Sequence, residues 1–433
     1  MRNKYLILWN NLVERVSTKT AKDYLFLTVS NIAIRPIQFV KGIVVAKYIS
    51  PETYGLYRTG ELITMLNKFG NLGFNSTASR EVGTALGEKN QRKANYFRLS
   101  CYSGEFSLAI ILLVLGLTSS LTVISKNVLF LVIITSTFTL FLSKIHGIYT
   151  TEAIIQREFK LISISSVVGS AVSSILTILL VPFYGIYAVL LFPVAQELII
   201  LFIFWRKINL NTSIKIFDKS ISSVFKTSFH FSLSTISYGG YKYAERLILV
   251  SQLGTKALGF FSFSSLFAEQ ATQFVFMMVK VRKQKLFEEL GKGNYTAVHK
   301  IVKRETNLFL ILSILSFPII GLFLYYFIPL YLPKWVEALN ASYLMLILIP
   351  LKVLGSYESI VIVSPIVNKQ LLLSIGMFIS TLFLVIISFL FAYLGVLTLE
   401  KFIVINLISS AIYVSIINIA YYKYFYLSIV CCK

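Results

Sequence analysis

Long apolar runs alternate along this chain with short polar stretches rich in lysine and arginine. A helix that crosses a bilayer needs about 20 mostly apolar residues. Eight runs meet that need outright: 99–121, 127–150, 161–182, 184–205, 306–331, 341–364, 371–394 and 399–420. Four more, 24–46, 56–78, 224–249 and 258–280, are long enough but carry charged residues, among them Arg35, Glu61, Lys68, His230, Lys242, Glu245, Arg246 and Glu269. The pattern predicts an all-α polytopic membrane protein of about twelve transmembrane helices, with connections too short to fold separately. The first 23 residues are basic and lack the apolar core of a signal peptide, so the first span is expected to be retained.

Composition narrows the class. Of 433 residues, 56% are hydrophobic and 14% charged, whereas a soluble domain carries about 25% charge. A water-soluble enzyme and a disordered scaffold are excluded. Three cysteines, Cys101, Cys431 and Cys432, cannot build a disulfide framework and form no metal-binding pattern. The formal net charge of +22 would suggest nucleic acid in a soluble protein. With the N-terminus placed in the cytoplasm, about 27 of the 41 Lys and Arg fall on inside segments, against Lys47, Lys126, Lys256 and Lys334 outside. That asymmetry follows the positive-inside rule, so a basic inner face replaces nucleic acid as the explanation, and both termini are expected inside.

A weak internal repeat runs at an offset of 204 residues. It carries Gly55 onto Gly259, Leu62 onto Leu266, Leu86-Gly87 onto Leu290-Gly291 and Asn90 onto Asn294. With six helices per repeat, both halves enter the bilayer in the same direction. That implies two parallel six-helix bundles related by an axis along the membrane normal, around a central cavity, a common transporter plan. The expected division is 1–205, a cytoplasmic linker 206–223, and 224–433. The stretch Ile49-Ser50-Pro51-Glu52-Thr53-Tyr54-Gly55-Leu56-Tyr57, followed by Asn71-Leu72-Gly73-Phe74-Asn75-Ser76 and Arg80-Glu81, resembles the N-terminal signature of Wzx-type polysaccharide flippases. These belong to the MOP (multidrug/oligosaccharidyl-lipid/polysaccharide) superfamily. The resemblance implies a V-shaped pair of bundles that moves undecaprenyl-diphosphate-linked oligosaccharide, O-antigen or a similar repeat unit, from the inner to the outer leaflet of a bacterial cytoplasmic membrane. At the end of the eighth span, the family's usual proline is replaced by Val281-Arg282-Lys283-Gln284.

Charges inside the bilayer supply the candidate chemistry. A cation at a helix centre costs about 2.5–3.5 kcal/mol on insertion scales, so it normally faces a cavity or a partner. Arg35 sits mid-span beside Pro36, with Asn31 and Gln38 on its face; a cavity and an internal ion pair are both open to it. Lys41 lies nearer the outer end, where it could bind substrate or snorkel. Glu61, Thr64, Lys68, Asn71 and Asn75 form a polar stripe on the second span, with a Glu61–Lys68 network as the structural alternative. Lys242, Glu245 and Arg246 follow at i, i+3, i+4, two cations to one carboxylate, which leaves one positive charge over. Glu269 falls within a turn of the repeat equivalent of Glu61, and Glu358 lies near Lys352. Lys144 and His146, at the inner end of the fourth span, are expected to snorkel. The prolines Pro193, Pro318 and Pro350 mark expected kinks, Gly169, Gly185, Gly239-Gly240 and Gly376 close helix approaches, and Tyr421–Tyr426 an interfacial aromatic belt.

These readings make Arg35, Lys41, Lys68, Lys242 and Arg246 the candidate substrate-binding cations for a lipid-linked diphosphate. Glu61, Glu269 and Glu358 are candidates for H⁺ or Na⁺ coupling, and no other cofactor or metal is expected. Partners are the lipid-linked oligosaccharide, the bilayer and other glycan-assembly membrane proteins. The first rival is a multidrug exporter of the same superfamily, which should show an acidic cavity with aromatic cages. The second is a membrane-embedded glycan transferase or polymerase. No outside connection exceeds about a dozen residues, no Walker-type loop is visible, and His146, His230 and His299 are scattered, so a non-enzyme is expected.

Overall fold

The computed structural model describes residues 19–69, 72–124, 127–210, 214–364, 366–367 and 369–430. Several side chains inside helices lie outside the described set, Lys68, His230 and those of 280–285 among them. Among the described residues there is no strand. Nine helical stretches there are long and apolar enough to cross a membrane. The chain divides into two compact units, residues to Lys41 with Gly70–Phe231, and Gly42–Phe69 with Ser232 onward.

α1 (Lys19–Tyr48) begins in the first unit and ends in the second. The rest of the first unit is α3 (Phe74–Gly87), α4 (Gln91–Leu121), α5 (Asn127–Ile155), α6 (Phe159–Tyr184), α7 (Ile186–Lys207) and the start of α8. Its apolar centre joins Phe74, Ala78, Cys101, Tyr102 and Ile148. α6 turns Gly169 and Ser173 toward α7: a Cβ on Gly169 would lie 2.6 Å from Ile200, and Ser173 Oγ donates to the Phe192 carbonyl at 2.9 Å. The connection after α7 is docked on α4, because the N–H groups of Lys215 and Phe217 donate to the hydroxyls of Ser103 (3.0 Å) and Ser107 (2.8 Å).

The second unit holds α2 (Pro51–Phe69), α8 (Ile221–Ile248, continuing as a π-helical turn Leu249–Leu253), α9 (Gly254–Gly291) and α10 (Tyr295–Tyr331). A 3₁₀ turn Pro333–Ala338 leads into α11 (Leu339–Leu346), α12 (Leu348–Val353) and α13 (Ser356–Val363). α14 (Gln370–Tyr393) and α15 (Leu399–Tyr421), prolonged as a π-helix Tyr422–Val430, complete it. Trp335 anchors one end of this unit: its indole N–H donates to the Ala46 carbonyl at 2.7 Å, and its ring packs on Tyr54, Phe260 and Phe263.

The 204-residue offset reappears in the backbone. α3 ends at Gly87 and α9 at Gly291. Asn90 caps α4 through Lys93 N–H, and Asn294 caps α10 through Ala297 N–H. The turns between carry the same hydrogen bonds, Lys89 N–H to Leu86 O and Gly293 N–H to Leu290 O, and the same left-handed residue, Lys89 (φ 56°) and Gly293 (φ 72°). Within the second unit, α2 and α9 cross reciprocally. A Cβ on Gly55 would strike the Thr255 carbonyl, and one on Gly259 would strike the Pro51 carbonyl. Contacts of residue i with j+204, returned by j with i+204, are the mark of a local two-fold relation.

Several predicted features differ. The span 56–78 is not continuous: α2 stops at Phe69, and Gly73 (φ 80°) starts α3 with its α-carbon against the Ser228 carbonyl, where no side chain fits. The expected stripe from Glu61 to Asn75 is therefore split between two helices. The span 341–364 is three short helices, with α12 ending beyond Pro350 at Leu354-Gly355. Pro193 and Pro318 lie inside continuous helices. The basic stretches between the predicted spans, 79–98 and 280–304, are mostly helical extensions of α3, α4, α9 and α10.

Candidate functional site

The second unit gathers the buried charge. On α2, Arg58 and Glu61 lie one turn apart and pair with each other, and Arg58 also donates to the Tyr54 hydroxyl. Its guanidinium lies over the rings of Tyr54 (4.9 Å) and Tyr57 (5.4 Å), which suits a flat, weakly hydrated cation. The second oxygen of Glu61 accepts from Arg246 on α8. One turn back on α8, Lys242 donates to Glu245 at 2.6 Å. Glu245 also accepts from the Asn406 side chain of α15, and Asn406 Oδ1 accepts from Tyr241 at 3.0 Å. On α9, Glu269 is within electrostatic reach of Lys242, Arg246, Lys352 and Arg58.

Among the described residues, four cations, Arg58, Lys242, Arg246 and Lys352, thus face three carboxylates, Glu61, Glu245 and Glu269, and one positive charge is left over. Sequence spacing suggested that surplus within the Lys242–Glu245–Arg246 triplet itself. The structure distributes it differently, because Glu245 takes Lys242 while Arg246 reaches across to Glu61 on another helix. Lys352 makes no ion pair among the described residues.

Beside this cluster is a cavity of about 240 Å³ in the second unit. The side chains of Lys242 and Lys352 line it, together with Tyr238, Tyr241, Asn406 and Ser410. Tyr413, Phe276, Met377 and Leu351 supply apolar and aromatic wall. Lys352 is the penultimate residue of α12, and Gly355, just beyond that helix, also joins the lining. A mostly apolar wall with a few convergent polar groups is the usual make-up of a ligand pocket. Its volume falls below the roughly 300–1,000 Å³ of drug-sized sites, so it suits a compact head group and not a whole oligosaccharide. Two lysines beside hydroxyls and an amide can hold a phosphoryl oxygen by charge-assisted hydrogen bonds.

The other sequence candidates are placed as follows. Glu61, Glu269, Lys242 and Arg246 come together in this one cluster. Arg35 lies in the first unit, half-buried, and its Nε has no hydrogen-bond partner among the described residues. Lys41 is half-buried at the end of the first unit's share of α1. The backbone of Lys68 lies in the last turn of α2, but its side chain is outside the described residues, and Glu61 finds its partners in Arg58 and Arg246. Glu358 stands apart: Thr306 donates to its Oε1 at 3.1 Å, and it lines a different groove from Lys352. Lys144 does not snorkel. It is 1% exposed and bound to Glu105 at 2.8 Å. A second buried pair in the first unit joins Arg98 to Glu152 at 3.0 Å, with Tyr102 donating to the same carboxylate oxygen at 2.7 Å. His146 is half-buried, 3.1 Å from Glu197.

Arg58 and Asn406 were passed over in the sequence. Arg58 was detectable, since it precedes Glu61 by three residues and α-helical geometry brings such a pair together. Nothing local marks Asn406, a lone amide in an apolar span.

Residues 20–282 match the family model described as polysaccharide biosynthesis protein. The chain belongs to that family. No curated protein matches it. Solved structures of similar fold include a lipid II flippase, MurJ, in an inward closed conformation, at a TM-score of 0.72 and 14% identity, over 92% of this chain and 87% of that one. An inward-facing multidrug resistance MATE transporter of the MOP superfamily aligns at a TM-score of 0.68 and 14% identity, over 93% and 98%. A MOP superfamily transporter from Pyrococcus furiosus, described as having a binding pocket of reversed polarity, aligns at 0.60 and 14%, over 95% and 96%. This family member is therefore a multi-pass membrane protein with the MOP superfamily fold.

Proposed function

We propose that the protein is a flippase for a lipid-linked oligosaccharide carried on a diphosphate, moved from inner to outer leaflet of a bacterial cytoplasmic membrane by alternating access. The observation that carries this reading is the buried cluster of surplus positive charge opening on a cavity that two lysines share. A drug-cation exporter would need the opposite sign of charge there. Undecaprenyl diphosphate fits the site's chemistry: Lys242 and Lys352 take the diphosphate, Arg246 and Arg58 hold the field positive, and Asn406, Ser410 and the tyrosines offer exchangeable hydrogen bonds to the first sugar. Arg35, Lys41 and Lys68 are proposed as further anion contacts along the substrate's route.

The reading needs no coupling ion. A diphosphate with about two negative charges gains roughly 4–5 kcal/mol on leaving a cell at 100 mV, inside negative. Glu61 and Glu269 then serve as counter-ions that keep four cations in a small volume, in preference to carrying H⁺ or Na⁺. Both termini are proposed to lie in the cytoplasm, where the basic ends of the helices meet anionic lipid.

Binding tests the site. Native mass spectrometry of purified protein with a polyprenyl-diphosphate-linked saccharide is expected to show a complex that Lys242→Gln with Lys352→Gln weakens at least tenfold. The monophosphate analogue is expected to bind more weakly to wild type. Equal binding by wild type and double variant would refute the assignment.

A further inference from the structure

A second, larger opening lies away from the charge cluster. About 780 Å³ of groove runs between α10 and the end of α15, with α13 behind it. At its back is Glu358, 7% exposed, whose Oε1 accepts from Thr306 and whose buried Oε2 has no hydrogen-bond partner among the described residues. Leaving such an acceptor unmet is costly, and more so for a charged group. At its mouth are the exposed side chains of Lys303 on α10 and Lys423 after α15. Asn307 and Asn418 also line it. His299 lines the groove 3.0 Å from the Tyr421 hydroxyl, and its ring packs against Tyr426 at 4.5 Å.

These groups make two demands of an occupant. The inner carboxylate calls for a cation that can donate hydrogen bonds, and the outer lysines call for an anion. Apolar surface continues from the mouth: Ile419 is 66% exposed, and Leu308, Ile311, Leu312 and Leu315 of α10 are each 47–60% exposed.

We infer that this groove binds a zwitterionic aminophospholipid, its primary ammonium on Glu358, its phosphate at Lys303 and Lys423, and its acyl chains along α10 and Ile419. The occupant is a lipid of the surrounding bilayer, and the site is separate from the proposed diphosphate cavity. A phosphoglycerol lipid would bring no cation to Glu358. A phosphocholine lipid brings a cation with no N–H to donate. Protonation of Glu358 alone would satisfy the carboxyl and give no preference among lipids.

The experiment is lipid retention. Protein is extracted from nanodiscs holding equal amounts of phosphatidylethanolamine, phosphatidylglycerol and phosphatidylcholine, and the retained lipid is identified by native mass spectrometry. Phosphatidylethanolamine is expected to be enriched at least fivefold over each of the others. Glu358→Gln should bring that enrichment to parity, and Lys303→Ala should reduce it two- to threefold. A series of mono-, di- and trimethylated ethanolamine lipids on wild-type protein needs no variant to fold, and retention should fall with each methyl group. Equal retention of all lipids, preference for phosphatidylglycerol, or a flat response to methylation would overturn the inference. Because the readout is lipid retention, it stands or falls independently of any transport assay.

Discussion

A charged side chain inside a bilayer protein is defined by its partner, and the partner is what spacing along one helix cannot give. Lys144 looks from sequence like a residue that escapes to the headgroups. The structure buries it against Glu105, 39 residues away on α4. The Lys242–Glu245–Arg246 triplet is legible as a cluster, and so is its excess of positive charge, but not the transfer of Arg246 to Glu61. Removing one member of a buried pair leaves an uncompensated charge and costs about 3–5 kcal/mol, whereas replacing both by apolar groups is often neutral. Lys144→Met is accordingly expected to lower the unfolding temperature in detergent sharply, and Lys144→Met with Glu105→Leu to recover most of the loss. If the double variant were no more stable than the single one, the pair would not be the source of the cost.

At the scale of elements, the repeat was visible only as a handful of matched residues, and those matches prove to be structural punctuation. Gly87 and Gly291 end helices, Asn90 and Asn294 begin them, and Gly55 and Gly259 allow two helices to cross with backbone against backbone. Gly55→Ala and Gly259→Ala should each reduce thermal stability by several degrees, because each Cβ meets a carbonyl. Gly83→Ala is the control: it has open space and gains up to about 1 kcal/mol of helix propensity. Lys89 occupies the left-handed position that Gly293 fills in the other repeat. Lys89→Gly is expected to be stabilising or neutral, and Gly293→Lys destabilising by about 1–2 kcal/mol, both measurable by thermal unfolding. What the apolar pattern could not reveal was interruption. The break before Gly73 and the three-part helix around Pro350 and Gly355 keep their apolar character, so a hydropathy window reads straight through them.

For the whole molecule, composition and the placement of lysines and arginines were enough to specify a many-helix membrane protein, because the cost of exposing backbone to lipid leaves few alternatives. Function was less accessible. The proposed function rests on a cavity whose two lysines come from α8 and α12, 110 residues apart, and on the sign of charge left after pairing. If a diphosphate leaves the cell down the membrane potential, collapsing the potential in proteoliposomes should slow translocation, and collapsing a pH gradient at constant potential should not. The most direct measurement is leaflet-specific labelling of lipid-linked oligosaccharide in cells depleted of this protein. The account predicts accumulation in the inner leaflet, relieved by the wild-type chain but not by an equally expressed Lys242→Gln, Lys352→Gln variant. Full relief by that variant, or no accumulation on depletion, would contradict it.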